Sequence, residues 1–179
     1  MRYKEFIIEG RNAVLEAFRA GKTIDKLFVL DGCQDGPVKS ILREAKKTDT
    51  IINFVDKERL DRLANSGHHQ GVVAQAAAYE YAEVEDILNA AKEKGEAPFI
   101  FILDEIEDPH NLGAIIRTAN LCGAHGVIIP KRRAVGLTAT VAKTSAGAVN
   151  YTPVAKVTNI AKTIEELKKE GLWFVCADM

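Results

Sequence analysis

The segment from Asp104 to Asn120 contains the polar side chains of this sequence that are best placed to do chemistry. It follows an apolar run at 99–103 and continues into an amphipathic helical pattern. Asn111 is a good N-cap residue, and Gly113 would let another backbone or a ligand approach the first helical turn closely. Such a helix start can bind phosphate, and Arg117 would add a charged fork nearly two turns further on. From the residues alone, a capped core helix with an exposed arginine is the alternative.

Three adjacent cations, Lys131, Arg132 and Arg133, follow a second apolar run at 127–129. If both runs are parallel strands, these cations lie at the carboxyl end of the sheet, where α/β folds bind ligands. A cluster of this charge is suited to a phosphate backbone. The alternative is a charged loop that is only solvated.

A third polar group lies near the amino terminus. Its members precede a predicted helix or a predicted strand, and they are Arg11, Asn12, His68, His69 and Gln70. Histidine rings can stack on unpaired bases and glutamine can hydrogen-bond to base edges, which suits recognition of an RNA loop. The alternative is that the histidines and the glutamine only form a turn between neighbouring glycines.

Helical and strand patterns alternate along the chain, which predicts an α/β fold. We predict strands at 27–30, 51–55, 71–74, 99–103, 127–129 and 173–176, and helices at 13–18, 38–45, 56–63, 83–94, 112–122, 137–146 and 159–169. The aromatic residues of these strands are expected in the core, namely Phe28, Phe54, Phe99, Phe101, Trp173 and Phe174. An acidic segment at 79–98, with a short helix inside it, is predicted to link a domain at 1–78 to a domain at 99–179.

The composition excludes several classes of protein. Hydrophobic residues make up 47% and charged residues 27% of the 179 residues, and the formal net charge is -1, which argues against a disordered chain or a tail-like nucleic-acid binder. Without an apolar run of about 20 residues or a signal-peptide pattern, we expect a soluble, cytoplasmic protein. The sequence also lacks the glycine-rich patterns of dinucleotide-binding folds and P-loop NTPases.

The cysteines and histidines do not form a recognisable metal site. Cys33, Cys122 and Cys176 are far apart and lie in or beside apolar segments, so we expect reduced structural thiols. The four histidines have no partner at metal-ligand spacing. We therefore predict no bound metal.

The residues at 108–119, Asp-Pro-His-Asn-Leu-Gly-Ala-Ile-Ile-Arg-Thr-Ala, resemble the first motif of the SpoU/TrmH family of RNA ribose 2'-O-methyltransferases. The resemblance covers the whole chain. Within the family, the chain is most similar to the subgroup that methylates a guanosine ribose in large-subunit ribosomal RNA. The other segments that carry this likeness are Glu9–Val14, His69–Ala74, Pro130–Thr138 and Lys143–Ala148.

The resemblance implies an amino-terminal α/β domain that binds the RNA and a SPOUT methyltransferase domain that binds S-adenosylmethionine in a trefoil knot. It also implies a homodimer that acts on ribosomal RNA. The arginine that matches Arg117 is catalytic in this family, and the asparagine that matches Asn111 shapes the same site. Both residues are present here.

The family's second and third motifs, which form the knot and most of the cofactor site, are not in this sequence. Of the residues present, only Ala177 and Asp178 are expected near the cofactor. We expect the chain to be a piece of a longer enzyme, and this piece lacks the knot segment. The alternative is a natural short relative that binds RNA without methylating it.

Overall fold

The computed structural model describes residues 6–177, so Asp178 lies outside the described residues. The chain forms two compact units. Unit 1 comprises Met1–Glu80 with Gly136–Ala139, and unit 2 comprises Tyr81–Val135 with Thr140–Met179.

Unit 1 is a mixed four-stranded sheet with helices on both faces. Its elements are β1 (Phe6–Glu9), α1 (Arg11–Arg19), β2 (Ile24–Leu30), α2 (Gly36–Lys47), β3 (Ile51–Val55), α3 (Lys57–Leu63) and β4 (Val72–Ala76). The strand order is β1-β4-β2-β3, in which β2 and β3 are parallel and β4 is antiparallel to both of its neighbours. Helices α1 and α2 pack on one face of the sheet and α3 on the other.

Aspartate side chains start two of these helices. Asp35 accepts a hydrogen bond from the backbone N–H of Val38 at 3.2 Å. Pro37 lies in the first turn of α2, where a backbone N–H has no acceptor within the helix, so proline breaks no helical hydrogen bond there. Asp56 accepts in the same way from the N–H of Arg59 at 2.7 Å. Strands β2 and β3 precede these two helices. Because β2 and β3 are parallel, they end on the same edge of the sheet, where α2 and α3 begin.

Unit 2 has a parallel three-stranded sheet in the order β5-β6-β7. Its elements are α4 (Val84–Lys94), β5 (Ile100–Ile102), α5 (Pro109–Leu121), β6 (Gly126–Pro130), α6 (Ala139–Thr144), a short 3-10 helix (Ala148–Asn150), β7 (Val154–Val157) and α7 (Ile160–Lys169). Helix α6 belongs to this unit from Thr140 onward. The central strand β6 is buried along its whole length, whereas β5 is only half-buried.

Helix α4 occupies the segment for which the sequence predicts a linker with a short helix. The Asp86 side chain accepts a hydrogen bond from the N–H of Glu83 at 2.9 Å, and Gly95 ends the helix with a φ of 68°. Ile87 is fully buried and packs in the core formed by β6, β7 and α7. Helix α4 is therefore part of the core of unit 2.

The predicted strand at 173–176 is wrong, because residues 172–177 are neither helix nor strand. Trp173 and Val175 are almost fully exposed, at 96% and 98%. These residues pair with no described strand, so their apolar side chains are not covered by a sheet. Conversely, the four-residue strands β1 and β7 were not predicted.

Burial corrects two other expectations. Of the aromatic residues expected in the core, Phe28 is buried, but Phe54, Phe99, Trp173 and Phe174 are exposed. Phe99 precedes the edge strand β5, and Phe54 lies in the edge strand β3, where fewer elements cover the side chains. Two of the expected structural thiols are exposed as well, those of Cys122 and Cys176.

Within residues 6–177, the helices are too short or too polar to cross a membrane.

Candidate functional site

Helix α5 starts three residues earlier than Leu112, the start that the sequence predicts. Its N-cap is Asp108, whose carboxylate accepts a hydrogen bond from the N–H of His110 at 3.1 Å, and Pro109 takes the first helical position. The prediction of Asn111 as the N-cap is therefore wrong. Because a carboxylate already occupies this helix start, a phosphate there would meet negative charge.

Gly113 is the point at which α5 and α6 approach closely. A Cβ at this position would overlap the Thr144 hydroxyl and come within 2.9 Å of the Val141 carbonyl oxygen. The Thr144 hydroxyl also donates a hydrogen bond of 3.3 Å to the Pro109 carbonyl oxygen in the first turn of α5. The expected close approach at Gly113 is confirmed, and the approaching group is protein.

Arg117 lies on the solvent-exposed side of α5. Among the residues described by the structure, none forms an ion pair or a hydrogen bond with its guanidinium group. The preceding residue, Ile116, is fully buried, so the part of α5 that carries Arg117 is packed against the core. The guanidinium group is therefore available to an anion from solution.

Asn111 is also exposed, but it does not share a stripe of the helix with Arg117. The two are six positions apart in the sequence, which places them about 9 Å apart along the axis and about 120° apart around it. His110 is exposed and precedes Arg117 by seven residues, which brings it back to nearly the same side. From the sequence, His110 could contact phosphate or cap the turn after Pro109, and its seven-residue spacing from Arg117 favours contact with the same ligand.

The three cations after β6 differ in their surroundings. Arg133 forms an ion pair with Glu105 at 2.9 Å, and both residues are exposed. Lys131 is half-buried, and its N–H donates to the Val157 carbonyl oxygen at 2.8 Å. Arg132 is exposed, and no described residue forms an ion pair with it. Of the three, Arg132 is the most accessible to a phosphate group.

Arg11 connects several polar groups at one end of the unit 1 sheet. Its guanidinium group donates to the Gln70 carbonyl oxygen at 3.0 Å and pairs with Asp35 at 2.6 Å. Its backbone N–H donates to the Gln70 side-chain oxygen at 3.2 Å. Arg11, Asn12 and Gln70 line one shallow surface pocket, together with Cys33. The structure thus brings three of the five predicted amino-terminal residues together.

The two histidines of this loop have different roles. His69 is only 6% exposed, and its Nε2 lies 3.0 Å from the Asp61 carboxylate while its Nδ1 accepts from the N–H of Gly71 at 2.9 Å. A ring held in this way cannot stack on a base, so the assignment of His69 to direct RNA contact is corrected to a structural role. His68 is exposed.

Only one of the two cofactor residues named from the sequence, Ala177, lies among the described residues. Ala177 is exposed in an irregular segment, and Asp178 lies outside the described residues. Ala177 by itself does not form a binding site for S-adenosylmethionine. Over the same residues, no group of three or more histidine, cysteine, aspartate or glutamate side chains is arranged to hold a metal ion.

Two family models match this chain, one on each side of α4. Residues 7–82 match the model described as RNA 2'-O ribose methyltransferase substrate binding. Residues 98–179 match the model described as the SpoU rRNA methylase family.

Similar proteins carry related descriptions. A putative TrmH family tRNA/rRNA methyltransferase, YacO of Bacillus subtilis, is 53% identical over 94% of this chain and 68% of its own length. A putative TrmH family tRNA/rRNA methyltransferase of Staphylococcus haemolyticus is 48% identical over 98% of this chain and 70% of its own length.

Solved structures with related descriptions are more distant. An rRNA methyltransferase from Sinorhizobium meliloti is 24% identical, with a TM-score of 0.42 over 93% of this chain and 59% of that one. AviRb from Streptomyces viridochromogenes, a SpoU methyltransferase solved with AdoMet, is 18% identical, with a TM-score of 0.43 over 93% of this chain and 60% of that one. The chain therefore spans less than two thirds of these solved chains.

Proposed function

Because this chain belongs to the SpoU/TrmH family of RNA methyltransferases, we propose that it methylates the 2'-hydroxyl of a guanosine ribose in large-subunit ribosomal RNA. S-adenosylmethionine is the proposed methyl donor and would supply an activated methyl group. The observation that carries the proposal is the exposed Arg117 on α5, within the matched methylase region. We place the enzyme in the cytoplasm as a homodimer.

The proposed chemistry assigns Arg117 an electrostatic role. A guanidinium group stays protonated in proteins and is therefore a poor proton acceptor. It is well suited to hold the phosphate next to the target ribose and to stabilise negative charge on the ribose oxygen as the methyl group is transferred. Direct removal of the hydroxyl proton by Arg117 is the less favoured version. His110, on nearly the same side of α5 as Arg117, is proposed to position the ribose, and Asn111 is proposed to shape an adjoining part of the site.

RNA binding is proposed for both units, with Arg11, Asn12, His68 and Gln70 in unit 1 and Lys131, Arg132 and Arg133 in unit 2. The support for unit 1 is its match to a substrate-binding model and the pocket shared by Arg11, Asn12 and Gln70. For the cation cluster, the support is its position after β6 and the exposure of Arg132.

We expect Asp35→Asn to strengthen RNA binding about 2- to 5-fold, which is the range of a surface ion pair. The substitution removes the negative charge that holds Arg11 at 2.6 Å, while an asparagine can still cap α2. Asp56→Asn is the matched control, because it also removes one charge from a helix N-cap in unit 1. Filter binding at several salt concentrations measures both variants, and equal effects would argue against a specific role for Asp35.

Replacing Lys131, Arg132 and Arg133 together with alanine should weaken RNA binding and its dependence on salt. The log–log slope of affinity against salt should fall by roughly 0.7 for each single-strand phosphate contact that is lost. Because Arg133 already pairs with Glu105, Arg132→Ala alone should account for more of the change than Arg133→Ala alone. An unchanged slope in the triple variant would refute this assignment.

The proposed function can be tested in the cells that produce the protein. Ribose 2'-O-methylation removes the hydroxyl that attacks the adjacent phosphodiester, so a methylated position resists alkaline cleavage. We expect large-subunit ribosomal RNA from cells without this protein to lose protection at one guanosine. Unchanged protection throughout that RNA would contradict the proposed substrate.

A further inference from the structure

Helix α2 presents a strongly basic face to solvent. Four of its residues are exposed cations, and the helix contains a single carboxylate, that of Glu44. The cations are Lys39, Arg43, Lys46 and Lys47. Their spacings of three and four residues place neighbouring cations on one side of the helix.

Glu44 neutralises only part of this charge. It lies 2.9 Å from Lys47 and 3.6 Å from Arg43. The hydrogen bond from Lys47 is the main reason that the pKa of Glu44 lies below its ordinary value, and this carboxylate already forms an ion pair with Lys47. Lys39 and Lys46 have no carboxylate within ion-pairing distance among residues 6–177.

Two other helices pair part of their positive charge with carboxylates on the same helix. On α7, Lys162 pairs with Glu166 and Lys168 pairs with Glu165. On α1, Arg19 pairs with Glu16 at 2.7 Å. With four cations and one carboxylate, α2 carries a net charge of +3, which is larger than that of any other helix among residues 6–177.

Helix stability does not account for this arrangement. Like charges four residues apart, such as Lys39 with Arg43 and Arg43 with Lys47, destabilise a helix. The helix dipole favours Lys46 and Lys47 in the last turn, but it does not favour Lys39, which lies one turn after the N-cap Asp35. An external anion would relieve the repulsion between these side chains.

We propose that this basic face of α2 binds the sugar–phosphate backbone of the RNA substrate without regard to base sequence. The proposal rests on the proposed function and adds a second contact surface to unit 1. Lys39 and Lys46 are seven residues apart, or about 10.5 Å along the helix axis. That length corresponds to roughly three phosphates of a stacked strand at ~3.4 Å each. The α2 helix lies within the region that matches the substrate-binding model.

The test replaces Lys39, Arg43 and Lys46 with glutamine, which removes three charges and keeps a good helix former at each position. The matched control replaces Lys162, Lys168 and Lys169 of α7 with glutamine, so that the net charge changes equally. Affinity is measured over a range of salt concentrations for a fragment of large-subunit ribosomal RNA and for an unrelated RNA of the same length. Circular dichroism verifies that both variants fold.

For the α2 variant, we expect affinity to fall about tenfold near 0.1 M salt and the log–log slope to fall by about 2, equally for both RNAs. The α7 variant should bind nearly as the unmodified chain does. Equal losses in the two variants would show an effect of net charge alone and overturn the proposal. Unchanged RNA binding by the α2 variant, with lost binding to phosphatidylglycerol vesicles, would assign the face to a membrane surface and also overturn it.

The same measurement separates this proposal from the proposed function. If the unmodified chain binds RNA and the α2 variant binds it equally well, only the contact surface on α2 is refuted. If the unmodified chain does not bind either RNA, the proposed RNA substrate is refuted together with this surface.

Discussion

Arg117→Ala should reduce methyl transfer to RNA by about 10²- to 10³-fold, the range observed when one preorganised electrostatic contact to a transition state is removed. The side chain is exposed on α5 and has no ion-pair partner among the described residues, so its loss should leave the fold intact. The expected change in the free energy of unfolding is within about 0.5 kcal/mol. The measurement is incorporation of a labelled methyl group, accompanied by thermal unfolding.

Two further variants define what Arg117 does. Arg117→Lys keeps the charge but loses the planar fork, so partial activity would favour charge stabilisation over bidentate phosphate binding. Lys162→Ala removes an exposed cation of α7 in the same unit and should retain activity. Nearly full activity of Arg117→Ala would refute both the electrostatic role and proton abstraction by this residue.

Gly113→Ala should destabilise unit 2 by about 1–3 kcal/mol, the usual range for overpacking. The added Cβ would overlap the Thr144 hydroxyl and approach the Val141 carbonyl oxygen, which is backbone and cannot rotate away. For a unit of this size, each kcal/mol lowers the melting temperature by about 4–8 °C. Because α5 also bears Arg117, any displacement of the helix should reduce methyl transfer as well.

Gly36→Ala is the matched control for this substitution. Gly36 is also a helical glycine, the first residue of α2, but a Cβ there meets no atom within 4 Å. Its melting temperature should stay unchanged or rise slightly. Adding Thr144→Ala to Gly113→Ala should restore part of the stability, because one of the overlapping groups is then removed. A melting temperature of Gly113→Ala equal to that of the unmodified chain would contradict the close packing of α5 against α6.

The longer elements could be predicted because local pattern and tertiary burial agree there. In α2, apolar residues at helical spacing, such as Val38 and Ile41, are fully buried. Short strands were harder, because the four residues of β1 and β7 contain too few positions for a period to be recognised. At 173–176 the apolar pattern is clear, but a strand requires a partner, and no described strand pairs with it.

The candidate site was predictable in its residues more than in its contacts. The type and spacing of Arg117 and Gly113 could be interpreted from the sequence, and Asp108-Pro109 held an unused signal for the true start of α5. The pairing of Arg133 with Glu105 joins residues that are 28 positions apart, and the burial of His69 depends on the fold around Asp61. Such long-range contacts have no local sequence pattern.

The most direct test of the central claim is nucleoside analysis of RNA after incubation with the protein and S-adenosylmethionine. The protein should be purified from the cells that produce it, and large-subunit ribosomal RNA from cells without it is the substrate. Mass spectrometry of the digested RNA should detect 2'-O-methylguanosine that is absent when Arg117 is replaced by alanine. RNA that binds but gains no methyl group would support the RNA-binding module instead, and a methyl group on a base would contradict ribose methylation.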